Sequence, residues 1–308
     1  MKLESIPEID VIITVYKPDK KFPQLLQKLH HQVLPPHRII LINTEERYWQ
    51  EEWRKGIPEA EVFHVKESEY DHGGTRNMGA ELSDAEYMVF MTQDAVPADE
   101  NLLDQLYQAM QDTQVAVAYA RQLPNPDCNP IDSYTRSFNY PENSRKKTKD
   151  DIKTMGIKAF LCSDVCAMYR KADYVKLGGF PKRAIFNEDM IFARKVLESE
   201  KAVYYAGGAK VYHSHNYTNM QQLRRNFDLA VSQKQNPDTF EGIVSESEGI
   251  RMVKSTAKHL IQTGKWYLVP KLVMNSAAKY TGFLLGRHYE RLPKRLVLYM
   301  TGNKNYWK

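Results

Sequence analysis

Residues Val11–Asn43 read VIITVYKPDKKFPQLLQKLHHQVLPPHRIILIN. Val11–Val15 is an unbroken β-branched run, the mark of a strand buried on both faces. Phe22, Leu25, Leu26 and Leu29 recur at helical spacing over Phe22–Gln32, and Arg38–Asn43 is a second apolar run. The alternation continues with a strand at Glu61–Val65, a helix at Thr75–Leu82 opening after a glycine pair, a strand at Tyr87–Met91, a helix at Asn101–Met110 and a strand at Val115–Ala120. This pattern predicts an α/β domain with a mostly parallel sheet flanked by helices. Ligands of such sheets sit beyond the carboxyl ends of the strands. Tyr16, Asn43, Asp71 and Asp94 fall at or just after such ends, so one rim is expected to gather them.

Further along, Leu123–Asp151 is rich in Pro, Asn, Asp and Lys and reads as a long loop, of the kind that is functional or mobile. Ala159–Tyr169 reads as a strand, Gly178–Gly179 as a turn, and Asp189–Leu197 as a helix with Asn187 or Glu188 near its cap. Ala202–Tyr205 and Ala209–His213 read as two strands around Gly207–Gly208. Beyond Thr218 the chain reads as helical, with breaks near Pro237, Gly264, Pro270 and Pro293. The expected division is a catalytic domain over 1–235 and a helical region over 236–308.

With 308 residues and 42% hydrophobic composition, the chain can bury one large domain plus an appendage. A net charge of +5 is only mildly basic, and no nucleic-acid motif with interleaved aromatics stands out. Three cysteines, Cys128, Cys162 and Cys166, argue against a disulfide framework and for a reducing compartment, with the last two read as buried thiols. The N-terminal MKLESIPEID has no apolar core of signal-peptide length, and no stretch approaches the roughly 20 apolar residues of a membrane span. The expected location is cytoplasmic, with peripheral attachment at the inner face of the membrane.

Four motifs carry the chemistry: DHGGTRN at Asp71–Asn77, TQDA at Thr92–Ala95, NED at Asn187–Asp189 and HSH at His213–His215. Asp94, ending a buried strand, suits a hard divalent cation; its alternative is a cap before Pro97. Glu188 and Asp189 open a helix, where one carboxylate can cap while the other serves as general base to a hydroxyl. His213 and His215 lie two apart and share a face, so neutral imidazoles can complete a metal shell beside Asp94. Gly73, Gly74 and Arg76 offer backbone N–H groups and a guanidinium to a phosphate or ribose, unless they only make a turn. Together these groups suit a metal–diphosphate ligand and the deprotonation of a hydroxyl, the chemistry of sugar transfer from a nucleotide-sugar.

The ordered set VIITVYKP, DHGGTRNMGA, FMTQDAVP, CSDVCAMYRKADYVKLGGF, FNEDMIFARKV and VYHSHNYT resembles a family 2 glycosyltransferase of the GT-A fold, in particular the bacterial rhamnosyltransferase-like branch. The resemblance covers about residues 8–235. It implies a Rossmann-like nucleotide-sugar-binding domain in which Asp94 matches the last aspartate of the DxD motif and binds Mn2+ or Mg2+, with His213 or His215 beside it. Asp189 matches the base, supported by Glu188. Thr14, Tyr16, Asn43, Glu45, Asp71, Gly74, Arg76 and Gln93 are implied on the donor side, and Asp164 and Phe180 on the acceptor side.

The chain departs from the family at two places. The first DxD carboxylate is absent from Thr92-Gln93-Asp94, and Asn43-Thr44-Glu45 stands where many relatives carry aspartates. TQDA is nonetheless usual in the rhamnosyltransferase-like branch. The implied reaction is an inverting transfer from dTDP-β-L-rhamnose to a polyprenyl-linked glycan, giving an α-L-rhamnoside. A UDP-hexose donor and a catalytically silent sugar- or nucleotide-binding module are the alternatives.

Ser247–Trp307 interleaves apolar residues with Lys254, Lys258, Lys265, Lys271, Lys279, Arg287, Arg291, Lys294 and Arg295. With Trp266, Tyr267 and Trp307 as interfacial anchors, this fits helices lying on an anionic leaflet. Packing on the core, or on another subunit of a homo-oligomer, is the alternative.

Overall fold

The computed structural model describes residues 7–243 and 246–307, without the side chains of 246–248. The signal-peptide reading rests partly on residues 1–6, which lie outside the described residues, as does Lys308.

One sheet organises the chain. Its strands are β1 (Ile9–Val15), β2 (Arg38–Thr44), β3 (Ala60–Val65), β4 (Tyr87–Thr92), β5 (Val96–Pro97), β6 (Val115–Leu123), β7 (Arg145–Lys147), β8 (Cys166–Arg170) and β9 (Ala202–Tyr212). Their order is β3-β2-β1-β4-β8-β6-β9-β5, with β7 also on β9. β1 to β4 run parallel, β8 is antiparallel to both β4 and β6, and β6 and β9 are parallel to each other. The sheet is therefore mostly parallel, and the carboxyl ends of β1, β2, β4, β6 and β9 share one rim.

Helices α1 (Phe22–His30), α2 (His72–Leu82), α3 (Leu102–Met110), α4 (Pro130–Asn139), α5 (Asp151–Met155), α6 (Lys171–Lys176) and α7 (Glu188–Glu198) connect the strands. α8 (Asn219–Gln235), α9 (Pro237–Phe240), α10 (Glu246–Gln262), α11 (Val269–Arg287) and α12 (Lys294–Met300) complete the chain. The period-2 alternation of β1 sorts two cores. Ile9, Val11, Ile13 and Val15 pack with α1 and α3 on one face, and Ile12 packs with Ala80 of α2 and Phe192 of α7 on the other.

Several sequence expectations are corrected. The expected loop Leu123–Asp151 contains α4 and β7. Asn129 caps α4 by accepting from the Ile131 and Asp132 amides, and Pro130 presets the first turn. The expected strand Ala159–Tyr169 shrinks to Cys166–Arg170, because Ser163 and Asp164 interrupt the apolar run and the Cys166 N–H is spent on the Ser163 carbonyl. Gly207 and Gly208 do not divide two strands. They lie inside β9, where a Cβ on Gly207 would land on the Glu142 carbonyl and one on Gly208 would crowd the Gln105 side chain. α2 begins at His72, ahead of Thr75, because the Asp71 carboxylate caps it by accepting from the Gly74 N–H at 2.6 Å. Pro270 lies in the first turn of α11 rather than breaking it.

The C-terminal helices lean on α8. Gly282 and Gly286 let α11 approach it closely: a Cβ on either would meet the carbonyl of Leu223 or Phe227. Trp307, expected as an interfacial anchor, instead packs with Tyr289 and Tyr306 against the cluster of Phe227, Val231 and Val297. Lys279, counted among the leaflet-facing cations, turns toward a cavity between helices. Trp266 and Tyr267 are exposed at 68% and 61%. Among the described residues no helix is long and apolar enough to cross a membrane. The three cysteines are free, with Cys162 and Cys166 buried as expected.

Candidate active site

The pairing of β5 with β9 builds the centre of the site. Val96 sits opposite Tyr212, which brings Asp94, just before β5, against His213, just after β9. The histidines thus lie beyond the strand end rather than on it. Asp94 Oδ2 is 3.6 Å from His213 Nε2 and 3.4 Å from His215 Nε2, and the two Nε2 atoms are 3.0 Å apart.

Gln122, near the end of β6, sets the tautomer of His213. Its amide donates to the Tyr140 hydroxyl and to Ser163 Oγ, so its Oε1 is the acceptor facing His213 Nδ1 at 3.0 Å and Arg136 Nη1. Nδ1 therefore carries the proton, and the Nε2 lone pair faces Asp94. Burial, reinforced by His215, Arg136 and Arg225, holds His213 well below the ordinary imidazole pKa. Burial lowers His215 as well, against the pull of Asp94. Neutral imidazoles are the ligand form, and Asp94, His213 and His215 offer ligand atoms all within 4.8 Å of one another. Acceptors this close repel unless a cation or proton lies among them, so the donor set fits a divalent ion. Two nitrogens and one oxygen suit a borderline metal better than the all-oxygen preference of Mg2+.

Gln93, the middle residue of the TQD triplet, ties two strand exits together. Gln93 Oε1 accepts from the Tyr16 N–H at 2.7 Å, and its Nε2 donates to the Tyr16 carbonyl at 2.9 Å. Gln93 thereby pins the β1 exit to the β4 exit. Tyr16 projects at this rim with its ring edge-on to Tyr48, and the Lys17 ammonium lies 4.8 and 4.7 Å from the two ring centroids. Thr14 is half-buried at the end of β1 beside Tyr70. Asn43 is fully buried and donates to the Glu45 carbonyl, while Glu45 accepts from the Glu67 N–H. Asn43 and Glu45 brace the β2–β3 end of the rim.

DHGGTRN turns inward. A Cβ on Gly73 would land on the Pro181 carbonyl, and a Cβ on Gly74 would crowd the capping carboxylate of Asp71. Asn77 clamps the Phe180 backbone both ways, donating to its carbonyl at 2.9 Å and accepting from its N–H at 3.0 Å. Phe180, expected on the acceptor side, lies in the core against Phe90, Tyr169, Tyr174 and Phe192. Arg76, expected at a phosphate or ribose, is buried. It donates to Glu188 Oε1 and to the His72 carbonyl at 2.9 Å each, and its Nε faces Asp164 Oδ2 at 3.4 Å.

These contacts support Asp189. Asp164 receives the Tyr169 hydroxyl at 2.6 Å, and its own N–H donates to Asp189 Oδ2 at 3.2 Å. The Met190 N–H donates to Asp189 Oδ1 at 2.7 Å. Asp164 and Glu188 therefore share one buried guanidinium, and Asp189 lies against Asp164. Arg76 holds Glu188 low against the opposing effect of burial, while burial pushes Asp164 up. Asp189 keeps partial solvent access, yet the packing around it, then Asp164 and Glu188, raise it well above the ordinary carboxylate pKa. A carboxylate poised upward in this way is a competent general base near neutral pH.

Sequence reasoning missed Gln122, Arg136, Tyr217 and Arg225. Tyr217 lies tilted against His215 with centroids 4.9 Å apart, and Arg225 lies over the Tyr217 ring at 5.8 Å. The signals available were the polar ending of the β6 run and the Asn129-Pro130 helix start that places Arg136.

Comparison with known proteins fits this geometry. The model of glycosyl transferase family 2 matches residues 10–178. The chain is 33% identical over 304 residues to the O-antigen chain rhamnosyltransferase RfbN of Salmonella typhimurium, covering 97% of this chain and 96% of that one. It is 37% identical over 250 residues to the O-antigen chain rhamnosyltransferase WbaN of Salmonella anatum, covering 80% and 78%. Among solved structures it is similar to the mannosyltransferase PcManGT of Pyrobaculum calidifontis in complex with GDP-Man and Mn2+, with a TM-score of 0.57, 14% identity, and coverage of 99% of this chain and 83% of that one. It is also similar to S. aureus TarS in complex with UDP, with a TM-score of 0.51, 15% identity and coverage of 92% and 91%. At these identities the two structures speak to the fold alone, and that fold is GT-A.

Proposed function

The chain belongs to glycosyl transferase family 2 and is a glycosyltransferase, and from that premise we propose that it transfers L-rhamnose from dTDP-β-L-rhamnose, with inversion, to a hydroxyl of a lipid-linked glycan in surface polysaccharide synthesis. The observation that carries the reading is the convergence of Asp94, His213 and His215 at the rim of the sheet. Rhamnose is favoured as the sugar because both relatives named above are O-antigen chain rhamnosyltransferases.

Asp94, His213 and His215 would hold a divalent ion, with Mn2+ favoured over Mg2+ by the two imidazoles; such an ion supplies charge that offsets the departing diphosphate. Asp189 is the base. The Asp164 and Met190 amides fix its two oxygens, and it takes the proton of the acceptor hydroxyl as that oxygen bonds to the anomeric carbon and dTDP departs. Displacement from the face opposite the leaving group turns a β donor into an α-L-rhamnoside. Tyr16, Tyr48 and Lys17 offer an aromatic, cationic corner for the nucleotide base and phosphate. The catalytic unit is residues 1–235, and the helical region 236–308 rests against the inner leaflet through Trp266 and Tyr267.

The test is nucleotide release by the purified full chain with dTDP-L-rhamnose and with UDP- and GDP-sugars, supplied with a lipid-linked acceptor, in EDTA and after adding back Mn2+ or Mg2+. Release from dTDP-rhamnose alone, abolished by EDTA and restored better by Mn2+, is expected. Release from a UDP-hexose alone would keep the fold and the base and replace the sugar. No release from any donor despite nucleotide-sugar binding would favour the silent binding module.

A further inference from the structure

A cavity of about 680 Å³ lies outside the site just described, between α4, α8, α10 and α11. That volume falls within the roughly 300–1,000 Å³ of ordinary small-molecule pockets. Its walls are mostly apolar, with Ile131, Val253, Leu272 and Phe283 among them. Ile250 and Tyr280 form part of its lining and are 58% exposed each, so the hollow continues onto the surface as an apolar strip.

Two routes of contact join this cavity to the Asp94–His213–His215 cluster. The first runs from His213 through Gln122 to Arg136, and Thr135, beside Arg136 on α4, lines the cavity. The second runs from His215 through the tilted ring of Tyr217 to Arg225, and Asn226, next on α8, lines it too. Lys279 also lines the cavity. Burial depresses its ammonium, Arg225 and Arg136 depress it further, and Asp132 opposes them. An ammonium on an otherwise mostly apolar wall favours an anionic group such as phosphate. An apolar hollow whose inner edge is cationic complements a molecule with a phosphate head and a hydrocarbon chain.

We propose that this cavity takes the hydrocarbon chain of an amphiphilic acceptor whose phosphate meets Lys279, so that the acceptor reaches the base from the α4–α11 side. The proposal rests on the reading of the chain as a transferase acting on a lipid-linked acceptor, and it gives that acceptor a place.

The experiment is calorimetric titration of the full chain in EDTA, so that no metal–diphosphate complex forms at the histidines. The probes are inorganic diphosphate and then isopentenyl, geranyl and farnesyl diphosphate. Affinity is expected to rise with chain length, by about tenfold or more from the shortest to the longest prenyl chain, since each buried methylene adds to binding. Ser276→Phe, which fills the cavity, and Val253→Asp, which puts a charge on its wall, are each expected to remove the chain-length dependence and to leave dTDP-rhamnose binding unchanged. Lys279→Gln is expected to weaken every diphosphate while keeping the increment per prenyl unit. A flat chain-length series with the wild-type protein overturns the proposal without recourse to any variant. So does an undiminished series in both cavity variants, which places the chain elsewhere. A separate titration with dTDP-rhamnose is run with Mn2+ in place of EDTA: failure to bind any nucleotide-sugar there would sink the proposed reaction, whereas the prenyl series reports on the cavity alone.

Discussion

At the residue scale the candidate site depends on how two buried carboxylates divide one guanidinium beneath a third, partly open one. Asp189 has its pKa raised, so it is protonated at low pH and becomes a base only as pH climbs through that raised value. Turnover is therefore expected to fall on an acid limb lying above the ordinary carboxylate range, read from kcat against pH with saturating donor. Asp189→Asn is expected to lose the reaction, by at least about 100-fold given the usual contribution of a positioned base, while dTDP binding persists; near-normal turnover in that variant removes Asp189 from the role. Arg76 offers a sharper contrast between its sequence reading and its place in the fold. Arg76→Met leaves Asp164 and Glu188 buried without their cation and is expected to destabilise the protein by about 3–5 kcal/mol in denaturant unfolding. Arg76→Lys keeps the charge with poorer geometry. It should leave nucleotide affinity intact and cost less stability than Arg76→Met; a selective loss of nucleotide affinity instead would return Arg76 to the donor. Motif spelling revealed Asp94, Asp189 and the histidine pair, since each needs a side chain at a strand end or helix start. The inward turn of Arg76 and Phe180 was hidden, because direction depends on partners far away in sequence, Asp164 and Glu188 for one and an aromatic cluster for the other.

At the element scale, α2 shows what a glycine-rich motif does when it is a joint rather than a phosphate cradle. Asp71→Ala removes a cap worth about 0.5–2 kcal/mol and is expected to lower stability by that amount in urea with little change in donor KM. A rise in KM at unchanged stability would instead place Asp71 on the ligand. The strand–helix alternation of the first half was legible because buried parallel strands need continuous apolar runs and amphipathic helices need a stripe, and β1, β2, β4, α1 and α3 all obey. The second half was less so. β7 is a lysine-rich triplet paired only with β9, and α4 begins at an Asn-Pro step in a polar stretch, so neither carries a periodicity long enough to read. The glycines of β9 were taken for punctuation because close backbone approach and chain reversal call for the same residue.

At the scale of the whole molecule, the helical region is part of the body through Gly282 and Gly286 against α8, and Trp307 is spent on that packing. Of the three expected anchors, Trp266 and Tyr267 stay exposed. Their double replacement by alanine is expected to lower co-sedimentation with anionic vesicles several-fold, with the remaining binding weakened by salt, and to leave the thermal transition in place because both side chains are exposed. Equal co-sedimentation of the variant would assign the region to packing alone. On the ribosome, β1 to β4 can pair with one another as soon as they emerge, but β8 must insert between β4 and β6, and His213 reaches Asp94 only after β9 has paired with β5. A nascent chain that stalls before β8 has an open β4 edge prone to stray pairing and lacks both the carboxylate of Asp189 and the histidines, and one that stalls within β9 still lacks the histidines. Translation must run past the last strand before a sugar can be transferred, so an interrupted copy is a burden for quality control but never a rogue catalyst.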